Sequence, residues 1–168
     1  PTLQITQLGY GPMHPDTRFS ARVAPPMIGL GLLEAIPDEA ILANAQAQAK
    51  DHNGIAGRPN QVWDDTQQKT VLGRFGWKAG QPNLNQQNVH AFSGDMGLTT
   101  SLRPFDDCTE TQTACKQAPN GNGADGEPEV SDNILRLVLF YSRNLAVPAR
   151  RGVNDAQVLA GKNLFFQA

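Results

Sequence analysis

The sequence has 168 residues, which is enough for one domain with a hydrophobic core. Its 16 glycines and 12 prolines indicate long loops between a few helices, and its net charge of −2 lacks the basic excess that phosphate binding requires. We therefore expect no nucleic-acid partner. We also expect no membrane span, because the longest dense apolar run covers only residues 137–141.

The N-terminal third contains one strand pattern and two helix patterns. Residues 2–8 alternate apolar and polar side chains, which predicts an edge strand or a hairpin arm. Residues 26–35 are apolar and favour a helix, although Gly29 and Gly31 weaken that prediction. The acidic residues after Pro37 suit the first turn of a helix that we expect to reach about Ala49.

The middle of the chain predicts a hairpin and then a helix. Residues 61–63 and 70–75 are rich in β-forming side chains and flank a polar centre, as in a hairpin. A helix is expected from about Leu84 to Phe92. Residues 101–130 show no periodicity and predict an irregular excursion with almost no regular structure.

The C-terminal segment predicts two helices. Ser131 is the expected N-cap of the clearest helix, which has an apolar face at helical spacing and ends before Pro148. Asn154 is the expected N-cap of a last helix, whose inward side chains are Val158, Leu159, Leu164 and Phe165. The predicted fold is mainly α with one or two short hairpins, and its core is supplied by the helices starting near Pro37, Ser131 and Asn154.

Cys108 and Cys115 lie seven residues apart in a polar segment. Two thiols cannot supply the four ligands of a structural zinc, and their spacing excludes both Cys-x-x-Cys and the haem-attachment motif Cys-x-x-Cys-His. The sequence favours a local disulfide, formed in an oxidising compartment. Unpaired thiols are the alternative.

Several short motifs follow the order found in one protein family. They are Arg22-Val23-Ala24-Pro25, Gly73-Arg74-Phe75-Gly76-Trp77-Lys78-Ala79, Leu84-x-x-Gln87, Asp95-Met96-Gly97 and Gly161-Lys162-Asn163-Leu164-Phe165. In these motifs, over nearly its whole length, the chain resembles the bacterial di-haem oxidoreductases, also labelled thiol oxidoreductases. These are relatives of the di-haem cytochrome c peroxidases, and the resemblance implies a cytochrome c peroxidase-like helical segment with long loops.

The resemblance implies a division of the chain into two parts. Residues 1–130 correspond to the distal-side segment between the haems, and residues 131–168 to helices that lead into a second haem c domain. The intact protein is then expected to carry two c-type haems, neither of them covalently attached in this chain. The chain begins at Pro1 without an initiator Met, so we expect a removed leader or a longer parent protein.

The resemblance also implies three catalytic residues. Trp77 corresponds to the tryptophan between the haems, Gln87 to the glutamine ten residues later, and Asp95 to the acid over the open face of the peroxidatic haem. The gap from Gln87 to Asp95 is two residues shorter than in the peroxidases, and Asp replaces Glu. The three residues are otherwise a core aromatic, a helix-surface amide and a turn-forming acid.

Cofactor-binding candidates complete the set. His14 and Met96 are candidate ligands of haem iron, because His and Met are common axial ligands. Arg22 and His90 are further candidates for contact with the cofactor. A bound calcium ion is compatible with the resemblance, but Asp51-x-Asn53-Gly54 lacks the spacing of a calcium loop, and a tight turn explains both this segment and the loop 121–126 better.

The functional expectation is therefore an exported, periplasmic oxidoreductase that transfers electrons through cytochrome c-type haem. Its partners would be the haem-bearing remainder of the same protein and a redox partner or small oxidant. The isolated chain would be inactive without haem. A haem-free structural or protein-interaction domain is the alternative, and the absence of Cys-x-x-Cys-His from the 168 residues favours it for the chain alone.

Overall fold

The computed structural model describes residues 4–9, 11–51 and 53–167. Its elements, in chain order, are α1 (Leu30–Glu34), α2 (Asp38–Lys50), β1 (Gln61–Asp64), β2 (Lys69–Leu72), α3 (Leu84–His90), a π-helix (Ala91–Asp95), α4 (Thr113–Gln117), α5 (Asp132–Asn144) and α6 (Ala156–Gln167). The fold is thus mainly α with one short hairpin, as the sequence predicts. No helix in the described ranges is long and apolar enough to cross a bilayer.

Strands β1 and β2 form an antiparallel hairpin closed by a buried carboxylate. Asp64, opposite Lys69 in the register, is 1% exposed and accepts the backbone N–H groups of Thr66 and Gln67 at 2.9 and 2.8 Å. It also accepts the side-chain amides of Gln67 at 2.9 Å and Asn83 at 3.0 Å. Burial opposes its ionisation, but these hydrogen bonds prevail and hold the pKa of Asp64 below its ordinary value.

The start of helix α3 is linked to the hairpin turn by its N-cap residue, Asn83. The side chain of Asn83 accepts the N–H of Gln86 at 2.9 Å and so caps the helix, while its amide bonds Asp64. Leu84 and Val89 are 0% exposed. Val89 forms a core cluster with Val130 and Leu135, against which three other apolar residues pack: Phe92, Leu98 and Leu102.

Helix α1 is short, but it is pinned to its neighbours by charged side chains. Glu34 accepts the N–H of Leu84 at 2.9 Å and pairs with Arg143 of α5. Arg74, whose side chain is 9% exposed, donates to the carbonyl oxygens of Leu33 and Ile36 and pairs with Asp38. These contacts fix α1 and the start of α2 against α3, α5 and the segment after β2.

The structure confirms the predicted hairpin, the helix capped by Ser131 and the helix starting after Pro37. The Ser131 hydroxyl accepts the N–H of Ile134 at 3.4 Å. The Cys108–Cys115 disulfide is present, with an S–S distance of 1.96 Å. The helix predicted over 84–92 is α3 continued by the π-helix, and residues 101–130 contain only the five-residue α4 as regular structure beyond isolated bridges.

Three expectations are wrong. Residues 2 and 3 of the predicted N-terminal strand lie outside the described residues, and residues 4–8 form no strand. The core is not supplied by the helices near Pro37 and Asn154, since α2 and α6 contain no buried residue; α3 takes their place beside α5. Asp155, rather than Asn154, caps α6 by accepting the N–H of Gln157 at 2.8 Å.

The closest approach between α1 and α5 depends on Gly31. A Cβ at this position would overlap the backbone carbonyl of Arg143, and backbone cannot move aside as a side-chain tip can. We expect Gly31→Ala to lower the free energy of unfolding by about 1–3 kcal/mol, measured by urea denaturation. Gly80→Ala is the matched control, because nothing lies within 4 Å of its added Cβ. Equal stability of the two variants would contradict this packing.

Candidate functional site

A tight loop after β2 presents Trp77 to solvent. Phe75, 2% exposed, anchors the loop and exchanges backbone hydrogen bonds with Gln81 at 3.0 and 3.2 Å. Asn60 donates from its side chain to the carbonyls of Lys78 and Ala79, both at 3.1 Å. The loop is therefore held at its base, and Trp77, 62% exposed, lies on its outer side.

Gln87 lies on α3 beneath this loop. Its side-chain oxygen Oε1 is buried and has no hydrogen-bond partner among the described residues. A Cβ added to Gly76, the residue before Trp77, would lie 3.7 Å from this oxygen. A buried acceptor without a donor is unfavourable by about 1–3 kcal/mol, so Gln87 Oε1 is a place where a donor from a bound molecule would be stabilising.

Asp95 and Met96 lie at the end of the helical segment that begins with α3. Gly97, with φ +69, ends the π-helix by donating its N–H to Ser93 at 3.1 Å. Met96 is 55% exposed, and Asp95 makes no side-chain hydrogen bond or ion pair within the described residues. Asp95 is exposed, and because an acid at a helix C-terminus opposes the helix dipole, its carboxylate does not stabilise this helix end.

The structure brings Gly76, the residue before Trp77, close to Gln87 and places Asp95 on the continuation of the same helix. Gln87 and Asp95 are eight residues apart, and the π-helix over 91–95 lies between Gln87 and the end of the segment. Their side chains do not hydrogen-bond to one another.

His90, the last residue of α3, is engaged at both ring nitrogens. Arg103 Nη2 lies 2.8 Å from Nε2, and because a guanidinium only donates, Nε2 is the acceptor. The proton of the neutral ring is then on Nδ1, which lies 3.1 Å from the Gln81 side-chain amide. The Gln81 atom at that distance is its amide nitrogen Nε2, which is also a donor. Rotating the Gln81 amide by 180° places its Oε1 there instead, where this otherwise unpartnered oxygen accepts the Nδ1 proton.

Charged neighbours complete the His90 network. Arg103 also pairs with Asp65 at 3.4 Å, and Asp65 lies 3.9 Å from His90 Nε2. Burial and then the charge of Arg103 hold the pKa of His90 below its ordinary value, against the opposing carboxylates of Asp65 and Asp107. As the chain stands, His90 cannot bind an iron without giving up one of its two hydrogen bonds.

The remaining candidates lie in the N-terminal segment. His14 Nδ1 accepts the N–H of Asp16 at 3.2 Å, and residues 12–17 line a cavity of about 660 Å³ together with residues 109–114 of the disulfide loop. Arg22 donates to the hydroxyl of Ser20 at 3.0 Å and is exposed. These contacts are local, and neither residue is anchored to α3 by them.

The calcium candidates form closed turns. Asn53 accepts the N–H of Ile55 at 2.9 Å, and Asp125 accepts that of Glu127 at 3.3 Å, as in turns stabilised by their own side chains. Within the described ranges, no three His, Cys, Asp or Glu side chains are grouped so as to hold a metal ion.

Sequence reasoning missed Asp64, Gln81 and the Asp65–Arg103 pair. Asp64-Asp65 after a β-rich run was a visible signal of a polar turn, whereas Arg103 lies in a segment without periodicity. The hydrogen-bond partners of His90 could therefore be identified only from the three-dimensional structure.

A family model described as "Di-haem oxidoreductase, putative peroxidase" matches residues 7–168. The chain therefore belongs to this di-haem oxidoreductase family. No curated protein and no solved structure matches it significantly.

The lowered pKa of His90 makes a prediction about stability and pH. The unfolded chain binds the proton more readily, so stability falls as the pH drops through the unfolded value of about 6.5. His90→Gln removes this contribution and should flatten the dependence between pH 7.5 and 5.5 by up to about one proton, measured by urea denaturation at each pH. His14→Gln, at a largely exposed ring, is the matched control. An unchanged slope in His90→Gln would contradict the network.

Proposed function

We propose that this chain is the inter-haem part of an exported c-type di-haem oxidoreductase with peroxidase-like chemistry. Family membership supports a redox role in general. The observation that carries the finer assignment is the buried, unpartnered Oε1 of Gln87 beneath the Trp77 loop, on the helical segment that ends in the unpaired carboxylate of Asp95.

The residues present fit a haem-dependent site. The Gln87 acceptor lacks a donor, the Met96 thioether is exposed, and His14 offers its Nε2 nitrogen, so His14 and Met96 are the proposed ligands of haem iron. Arg22 supplies a cation for the cofactor's carboxylates. When bound, haem would supply reversible electron transfer at its iron.

The protein's own contributions are proton transfer, orientation and electronic coupling. Asp95 takes a proton from the substrate oxygen that attacks and returns it to the oxygen that leaves, as a general base and then a general acid. The Gln87 amide orients the reacting oxygen through its Oε1. Trp77 provides a polarizable indole between the two redox centres.

The exposed surface supports a haem-bearing partner within the same protein. The chain exposes 13073 Å², whereas a compact monomer of 18.1 kDa exposes about 8,000 Å². Exposed large apolar side chains occur along the chain, and three of them lie on α6, where Leu164, Phe165 and Phe166 are 67%, 79% and 74% exposed. Such a helix is stable only when another surface covers it.

The disulfide supports the proposed compartment. Cys108 and Cys115 are bonded across a short polar loop, and such bonds persist in oxidising compartments. This supports an exported, periplasmic protein, the same setting in which c-type haem is expected for this family.

Asp95→Asn tests the proton-transfer role in the intact haem-bearing protein. Loss of a positioned acid or base typically lowers the rate by about 10²–10⁴, so kcat should fall by that order. A pyridine haemochrome spectrum should show the same haem content as the wild type. Asp106→Asn, an exposed acid in another loop, is the matched control and should keep full turnover. Full turnover of Asp95→Asn, or no c-type haem in the intact protein, would overturn the proposal.

Trp77→Phe tests the electron-transfer role. Removing the indole should slow electron transfer between the haems, as measured by stopped-flow reduction of the intact protein, while haem content stays constant. Trp63→Phe is the matched control, since Trp63 is also half exposed but lies on β1. Equal rates in the two variants would exclude Trp77 from the path.

A further inference from the structure

A groove on the other side of α3 is not used by the proposed reaction. It has a volume of about 510 Å³ and is lined by one face of α5, the turn after β1, the start of α3 and residues 101–102. Leu135, Leu139 and Leu102 form its apolar floor. Four charged side chains border this floor: Asp64, Asp132, Arg136 and Arg143.

The acidic groups of the groove are already engaged. Both oxygens of Asp64 accept donors from this chain, from Thr66, Gln67 and Asn83. Asp132 accepts the hydroxyl of Ser101 at 2.6 Å. Asp132 also lies in the first turn of α5, at the end of the groove away from Arg143.

The basic groups retain free donors. Arg136 donates to Asn133 at 2.8 Å and forms no ion pair among the described residues. Arg143 uses its Nε for Glu34, which leaves its two terminal nitrogens. The Asn85 amide makes no hydrogen bond within the described part of the chain. The unassigned polar groups on this side of the groove are therefore mainly donors.

The spacing along α5 lets both arginines serve one ligand. Arg136 and Arg143 are seven residues apart, two helical turns or about 10 Å, so their side chains project from the same face. Leu139 lies between them on that face. The groove therefore presents two guanidinium groups with an apolar side chain between them.

We propose that this groove binds a carboxylate attached to an apolar body. The guanidinium group of Arg136 receives the carboxylate, the free nitrogens of Arg143 and the Asn85 amide are further donors along the groove, and the leucine floor receives the apolar part. Two sources share this chemistry: a free aliphatic carboxylic acid, and the propionate edge of a porphyrin. The site is separate from Trp77, Gln87 and Asp95, so it stands or falls independently of the proposed reaction.

Calorimetric titration of the 168-residue chain tests the proposal. The probes are octanoate, with 1-octanol as its uncharged counterpart, and iron-free deuteroporphyrin, with its dimethyl ester as the uncharged counterpart. Saturable binding of either carboxylate probe, at least tenfold tighter than its counterpart, is expected. Binding of octanoate alone identifies a free acid as the source, and binding of deuteroporphyrin alone identifies a propionate edge.

Arg136→Gln locates the binding in the groove. Arg136 is exposed and bonded only to its neighbour Asn133, so the variant should fold normally, as checked by circular dichroism. It should weaken binding of the carboxylate probe about tenfold, whereas Arg150→Gln, in the exposed segment after α5, should leave it unchanged. The proposal is overturned if neither carboxylate probe binds, if the uncharged counterparts bind equally well, or if Arg136→Gln binds as tightly as the wild type.

Discussion

Helix α3 owes its position to buried polar groups as much as to apolar burial. Gln86, 4% exposed, accepts the N–H of Asp65 at 2.8 Å and donates to the carbonyl of Trp63 at 3.0 Å. Glu34 receives the N–H at the start of the helix, and Asn88 meets Ser142 of α5 at 3.3 Å. Satisfied polar contacts of this kind are directional, so they define one arrangement of the hairpin, α1 and α5 around α3.

The candidate site depends on this arrangement. Gln87 lies between the two buried amides of Gln86 and Asn88, so its orientation is set by contacts on both sides of it. The Trp77 loop is joined to the same region through Gln81, which bonds both Phe75 and His90. A disturbance of α3 would therefore move the proposed orienting amide and the indole together, although neither residue contributes much to the core.

The sequence predicted those elements whose periodicity reflects apolar burial. The hairpin and α5 have such patterns, and the capping serine of α5 was visible from its side-chain chemistry. Helix α3 gave a weaker signal because two of its buried positions, Gln86 and Asn88, are polar. Helices α2 and α6 contain apolar residues, but none of them is buried against another element. Their composition therefore predicted a contribution to the core that the fold does not show. The candidate site residues were named from the family resemblance. The partners of His90 come from distant segments of the chain, so only the three-dimensional structure could identify them.

The π-helix changes how distances in this sequence translate into distances in space. A π-turn closes its hydrogen bonds over one more residue than an α-turn and widens the helix locally. It occupies residues 91–95, within the interval from Gln87 to Asp95 where the chain has two residues fewer than the peroxidases it resembles. Counting residues across this interval therefore misstates both the rise and the angle between the two side chains. Insertions or deletions here can be absorbed by exchanging wide turns for narrow ones, so the position of Asp95 relative to Gln87 can change without rebuilding α3.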